Sequence, residues 1–470
     1  MKLVLLIAMS LGLLLGAIAQ EPLKEKISLA ENEQLYQVFK YKEEGIIVIS
    51  TLFSGEKSNN SINIRFFSLD YKVKWEKNIK MHYEDKNPNI NLTYSTYSDY
   101  FYVIENKAYP TDIDRILCDP AYITQIDKNG SLKGTEFKEF LSKDVSGDIA
   151  IVATKSYLNV YRVNLKESKV ILYKISNSDL TVTNVEIPFN DVKIPKDNLS
   201  TTSFWHFVAQ TEDEIYFARN EYKSFAKSGE PDYKFNIASV NEDGKILSNI
   251  SFNPSLKGCF PLASTKINFE GPITSGFQTI NYNSSQGTSY IYVYAVGNIT
   301  YDLKNNSVYI SGMMSRKYKK ASLFLQKPEG YYLVKFDLQG NKKWQIIKDF
   351  DKDYQNNLGV GPSMRFLNVL NGILQISGNF IDAKDLLYVN FDNDGNVVKS
   401  SIHTMNDYLM SFSDNLTPVQ KYVKSLNLDE SKLKPEERKV MLTQYFTTRD
   451  VLIEYNPKVK TIEIISFTKE

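Results

Sequence analysis

The segment Tyr332-Leu333-Val334-Lys335-Phe336-Asp337-Leu338-Gln339-Gly340 decides the fold class. Extended chain has a two-residue period, so Tyr332, Val334 and Phe336 share one face, and Asp337 and Gly340 supply a hairpin turn. A returning strand then carries Trp344. The same order recurs at Ala121–Gly130, Phe235–Gly244 and Leu387–Gly395, with weaker copies at Phe66–Asp70 (Trp75 beyond), Leu172–Asn177 and Ile453–Asn456. Each copy is paired with a short apolar run that opens after a turn residue. These runs lie at Gly45–Ser50, Asp99–Ile104, Asp148–Val152, Glu214–Ala218, Asn306–Gly312, Asn371–Gly378 and Asp450–Ile453.

Seven copies of a two-part β unit imply a repeat architecture, because one such unit cannot bury both of its faces alone. The turn positions advance by 57 residues from Asp70 to Asp127, 55 from Asp337 to Asp392 and 64 from Asp392 to Asn456, with one longer gap before Asp337. That period fits a four-stranded propeller blade with generous connections. The fold expected is an all-β propeller of seven blades, six and eight being the neighbouring counts. The Gly-x-x-x-Ser-Gly strand followed by Asp-x-x-Gly and then Trp resembles the repeats of bacterial exported seven-bladed β-propeller proteins. The resemblance spans most of the chain and rests on turn and core residues, so it implies a fold and transfers no catalytic position. Closure of the array is expected from Leu35–Phe39 pairing beside the final strands around Thr461–Ile465, which would hide both sheet edges.

Residues 1–19 read as a secretory signal peptide: Met1-Lys2, an apolar stretch from Leu3 to Leu15, then small residues at Ala17 and Ala19. Residues 20–470 then form the propeller domain, in a secreted or periplasmic location. The apolar stretch is short for a hydrocarbon core of roughly 30 Å, and no second long apolar run follows, so no membrane span is expected. The chain has 56 basic and 55 acidic residues; removing Lys2 with the leader leaves 55 against 55. A chain with no net charge has no general attraction for a polyanion, which argues against nucleic acid as a partner. Cys118 and Cys259 are far apart in sequence and nothing in their spacing pairs them.

One segment, about 404–448, breaks the β pattern and is expected to be a helical insertion. Thr417 and Pro418 suit a helix start, Val419, Tyr422, Val423 and Leu426 follow at helical spacing, and a second helix is expected from Pro435 to about Tyr445.

The three histidines, His82, His206 and His403, fall in different repeats and none has metal-ligand spacing. His206, within Phe204–Val208, reads as a packed strand residue. There is no Gly-x-Ser-x-Gly elbow, phosphate-binding glycine loop or dinucleotide fingerprint. Asp349, Asp351 and Asp353 alternate as the first ligands of a calcium loop do, but the following glycine and closing glutamate are missing, so calcium is the one weak cofactor candidate. Asp392 and Asp394 read as a polar turn. Nine Asn-x-Ser/Thr sequons, including Asn91, Asn298 and Asn415, matter only in a glycosylating host. Two classes fit. The favoured one is an exported non-catalytic binding or scaffold protein whose Tyr-, Asn- and Ser-rich loops contact a protein or glycan. The alternative is an extracellular polysaccharide hydrolase or lyase with carboxylates and tyrosines at the propeller channel.

Overall fold

The computed structural model describes residues 23–52, 60–83, 89–106, 121–138, 145–164, 169–189, 205–223, 232–256, 258–261, 266–270, 298–302, 305–316, 329–350, 352, 364–370, 373–379, 385–404, 422 and 440–468. They form seven sheets. Sheet one runs through Glu33–Tyr41, Gly45–Leu52, Ser61–Ser68 and Val73–Lys80. Sheet two takes Asn89–Tyr94, Tyr100–Asn106, Ala121–Asp127 and Leu132–Phe137, and sheet three takes Val145–Ala153, Tyr157–Asn164, Lys169–Ser176 and Val182–Ile187. Sheet four is His206–Gln210, Ile215–Lys223, Asp232–Val240 and Ile246–Phe252. In sheet five the meander Asn298–Asp302, Ser307–Ser315, Gly330–Asp337 and Lys342–Asp349 is joined by Lys266–Glu270, parallel to its first strand, and by the two-residue Phe260–Pro261. Sheet six is Met364–Leu370, Ile373–Asn379, Asp385–Phe391 and Val397–Thr404.

Sheet seven consists of Val440–Tyr445, Arg449–Asn456 and Thr461–Thr468, with Leu23–Ser28 from the other end of the sequence as its fourth strand. Antiparallel four-stranded meanders in chain order, the last completed by an N-terminal strand, are the connectivity of a seven-bladed β-propeller. The closing strand differs from the one expected. Leu23–Ser28 pairs with Thr461–Ser466, whereas Leu35–Phe39 lies in the first strand of sheet one. The reason is local: a turn through Ala30–Glu33 separates the two strands, and Leu35 to Phe39 match the apolar run Ile47–Ser50 of their own hairpin.

Two compact units divide the chain, one holding sheets one and seven and the other sheets two to six. In the second unit, sheets pack face to face in order. Tyr102, Ile104 and Ile123 of sheet two meet Leu158, Val160 and Tyr173 of sheet three. Tyr161 and Leu172, on the opposite face of sheet three, meet Ile215, Phe217 and Val240 of sheet four. Tyr216, Ala218 and Ile237 in turn meet Tyr332, Val334 and Phe336 of sheet five, the face expected from the sequence. Adjacent residues thus serve opposite neighbours, and a strand buried on both faces reads as an unbroken apolar run. In the first unit, Val38, Val48 and Phe67 of sheet one meet Val451, Ile453 and Ile464 of sheet seven.

The repeated Asp-x-x-Gly turn has a specific task. In Asp127, Asn241, Asp337 and Asp392 a side-chain oxygen accepts from the backbone N–H groups two and four residues on, which fixes the turn between third and fourth strands. The turn then reaches the preceding sheet. Ser156 Oγ and Asn159 Nδ2 of sheet three donate to the Glu242 carboxylate and carbonyl of sheet four, at 2.9 and 2.8 Å. Trp344 Nε1 of sheet five donates to the Asn393 carbonyl of sheet six at 2.9 Å, and Arg449 Nη1 of sheet seven to the Leu69 carbonyl of sheet one at 2.7 Å. Gly340, at φ +88°, brings its turn so near sheet four that a Cβ there would stand 2.8 Å from the Ser251 carbonyl oxygen.

Two sequence expectations need correction here. Asp148–Val152 belongs to the first strand of sheet three, not to the second-strand position its counterparts occupy; that position is Tyr157–Asn164. Val440–Tyr445 is a strand, not the end of a helix, and it pairs with Asp450–Tyr455. Leu442 packs on the core between sheets one and seven while Met441 packs with Leu452, Ile465 and Phe467, so both faces are apolar and the run mimics helical spacing. The rest of the helical insertion lies outside the described residues apart from Tyr422, whose ring meets Phe467 at 5.3 Å. The proposed signal peptide, residues 1–19, also lies outside them.

Candidate functional site

The two ends of the sheets differ in kind. At one end the described connections are short turns, and several of them accept hydrogen bonds from the neighbouring sheet. At the other end second strands finish and third strands begin, as at Asn106 and Ala121 or Ser315 and Gly330, with longer stretches of sequence between them than the turns have. Functional groups on a propeller need side chains that the scaffold does not consume, and this second end is where they are found.

Three side chains come together there, two from sheet two and one from the connection before it. Glu105 stands at the long-connection end of Tyr100–Asn106 and is 1 % exposed. Both of its oxygens accept from one residue: the His82 backbone N–H at 2.7 Å and the His82 ring at Nδ1, 3.1 Å away. Tyr122, directly opposite Glu105 in register, lies flat under the imidazole, with ring centroids 3.4 Å apart and planes 15° from parallel. Beneath, Gly134 of the outer strand leaves room for the phenol; a Cβ there would meet the Tyr122 oxygen at 2.4 Å. A buried carboxylate, a glycine bed and a stacked phenol therefore fix one imidazole in position and rotation. With Nδ1–H donated to Glu105, the neutral ring presents Nε2 as an acceptor. The His82 side chain remains 38 % exposed.

Other charged clusters at this end are structural. In sheet one, Arg65 Nη1 donates to Glu33 at 2.7 Å and its Nε to Glu76 at 2.9 Å, with Ser50 and Asn63 also on Glu33. In sheet five, Arg316 Nε donates to Asp349 at 2.7 Å, while Glu329 accepts from Ser315 Oγ and the Arg316 backbone. Asp349 is the first of the three calcium-loop candidates, and its carboxylate is paired with a guanidinium that a cation would have to displace; Asp351 and Asp353 lie outside the described residues. Among the described residues no three His, Cys, Asp or Glu side chains converge as a metal site requires. Cys259 is buried, which pushes its thiol up to about 12, and Cys118 lies outside the described residues. His206 and His403 fall in strands of sheets four and six.

Asp392 accepts from Asn396 and Asp394, the polar turn its sequence indicated. Asn91 and Asn298, two of the sequon asparagines, lie in the first strands of sheets two and five. Glu105 and Tyr122 escaped sequence reasoning. The available signal was an acid closing the otherwise apolar Tyr100–Ile104, and a glycine in the outer strand facing the tyrosine strand.

No protein-family model matches the chain, and no curated protein matches it. Solved structures do align along most of its length. A candidate 6-phosphogluconolactonase from Bacteroides fragilis is 11 % identical, with 93 % of this chain and 94 % of that one covered and a TM-score of 0.27. A DUF4221 family member from Bacteroides vulgatus is 15 % identical over 82 % and 98 % of the two chains, with a TM-score of 0.29. Porphyromonas gingivalis dipeptidyl peptidase 4 is 9 % identical over 92 % of this chain and 53 % of its own, with a TM-score of 0.33, so the chain spans about half of that enzyme. Likenesses this distant say nothing of activity, and the fold assignment rests on the sheets themselves. No helix among the described residues is long and apolar enough to cross a membrane.

Proposed function

We propose that this chain is an exported, non-catalytic propeller protein that holds a protein or glycan at the long-connection end of its sheets. The observation that carries the reading is the unequal use of the two ends. Turns at one end accept hydrogen bonds from the preceding sheet, through the Glu242 carboxylate and the Asn393 and Leu69 backbone carbonyls, while the other end holds an oriented, part-exposed histidine. The leader-like residues 1–19 support export.

The test compares two variants of the full chain on a glycan microarray and in chemical cross-linking with extracellular proteins. One variant replaces residues 107–120 by a short Gly-Ser link; the other carries Lys245→Glu and Asp394→Lys in the turns. Binding should fall at least tenfold in the first and stay within twofold in the second. The opposite order would remove the proposed binding end, and release of reducing or unsaturated sugar ends from any bound polysaccharide would replace the non-catalytic reading with the hydrolase or lyase one.

A further inference from the structure

We infer that His82 is a carbohydrate contact, its Nε2 accepting a hydrogen bond from a hydroxyl of a neutral polysaccharide; this deepens, and rests on, the binding role proposed above. A histidine held by two hydrogen bonds to one buried carboxylate and by a stacked phenol has been denied the freedom of an ordinary surface side chain. That ordering costs entropy and desolvates Glu105, and the turn-end contacts already fasten sheet two to sheet three without it. What the arrangement delivers is an acceptor nitrogen and a flat ring face at a fixed place.

The surroundings select the ligand class. Glu136 stands opposite Tyr122 in register, hence on the same face of the sheet, and its carboxylate is paired with Lys138 Nζ at 2.7 Å, the two side chains 40 % and 65 % exposed. Acceptor nitrogen, carboxylate and ammonium together match hydroxyl groups, which both donate and accept. A protein partner would need an apolar centre to the contact. Among the described residues of sheet two the exposed large apolar side chain is Leu132, at the turn end of the outer strand, away from His82. A uronate polymer would meet the exposed Glu136 carboxylate, and the Lys138 ammonium that could attract it is already paired with Glu136, so among the described residues the fit is to an uncharged chain.

Affinity electrophoresis of the full chain tests this in gels containing galactomannan, arabinoxylan or dextran, with polygalacturonate as the acidic comparison. At least one neutral polymer should retard the wild type and polygalacturonate should not. His82→Phe keeps a ring on Tyr122 but has no nitrogen, and should weaken the retardation about tenfold, the loss of one hydrogen bond. His82→Gln, which keeps an acceptor, should recover part of it, and unchanged near-ultraviolet circular dichroism shows that each variant is folded. Retardation equal in wild type and His82→Phe would overturn this site while leaving a binding protein in place. Retardation by polygalacturonate alone, or by no polymer, would overturn the carbohydrate assignment, and the cross-linking comparison then decides the wider role by itself.

Discussion

Arg65→Met should destabilise the unit of sheets one and seven by about 3–5 kcal/mol, the usual cost of removing one partner from a buried ion pair. The Arg65 and Glu33 side chains are 10 % and 3 % exposed, so the carboxylate left behind has no water to replace the guanidinium. The pH dependence of the loss identifies its cause. Burial by itself raises the Glu33 carboxyl, but hydrogen bonds from Arg65, Ser50 and the Ala30 N–H outweigh it and hold the group below its ordinary value. A carboxyl depressed on folding adds stability above its unfolded pKa, and that contribution fades as pH falls through the folded value. Without Arg65 the burial effect is opposed only by neutral donors, Ser50 and the Ala30 N–H among them, so Glu33 contributes less stability above its unfolded pKa. The difference between wild type and variant, measured by chemical denaturation, should therefore be largest near neutral pH and shrink toward pH 4. A loss below about 1 kcal/mol, or one independent of pH, would contradict this account of the pair.

Removal of residues 20–28 should be equally damaging. Six residues, Leu23 to Ser28, pair in register with Thr461–Ser466, and Ile27 packs on the core between sheets one and seven. The truncated chain loses a ladder of backbone hydrogen bonds, each worth about 0.5–1.5 kcal/mol net, and leaves Thr461–Thr468 as an open edge. About 3–6 kcal/mol of stability should disappear on that bond value, and size-exclusion chromatography should show association through the bared edge. A synthetic peptide of residues 20–28 added in trans should restore the monomer. A truncated chain that stays monomeric with an unchanged unfolding midpoint would show that the N-terminal strand does not complete the last sheet in solution.

How much of this was legible in the sequence follows from how local each feature is. Four hairpin turns, at Asp127, Asn241, Asp337 and Asp392, were readable because an Asp or Asn, its two backbone donors and the glycine lie within five residues, as at Asp337–Asn341; the copies at Asp70, Asn177 and Asn456 lack the glycine and are the weaker ones. The face shared by Tyr332, Val334 and Phe336 followed from the strand period alone. The closing strand was misplaced because Ile27 and Ile462 meet across nearly the whole chain, and nothing near either residue records the pairing. Val440–Tyr445 was misread because a strand apolar on both faces loses the alternation that would separate it from a helix.

The site was the least legible part. His82, Glu105 and Tyr122 come from a connection and two different strands, and only the register Glu105 to Tyr122 sets them together. Each has an ordinary reading alone: a loop histidine, an acid at a strand end, an aromatic in a strand. Their chemistry appears when the strands are paired.

The most direct test of the division between a structural end and a binding end is hydrogen–deuterium exchange of the full chain with and without the neutral polysaccharide that retards it most. Slowed exchange is predicted around residues 82–83, 104–106, 121–123 and 136–138, with the turns at 127–131, 241–245, 337–341 and 392–396 unchanged. Protection confined to those turns, or to neither end, would contradict it.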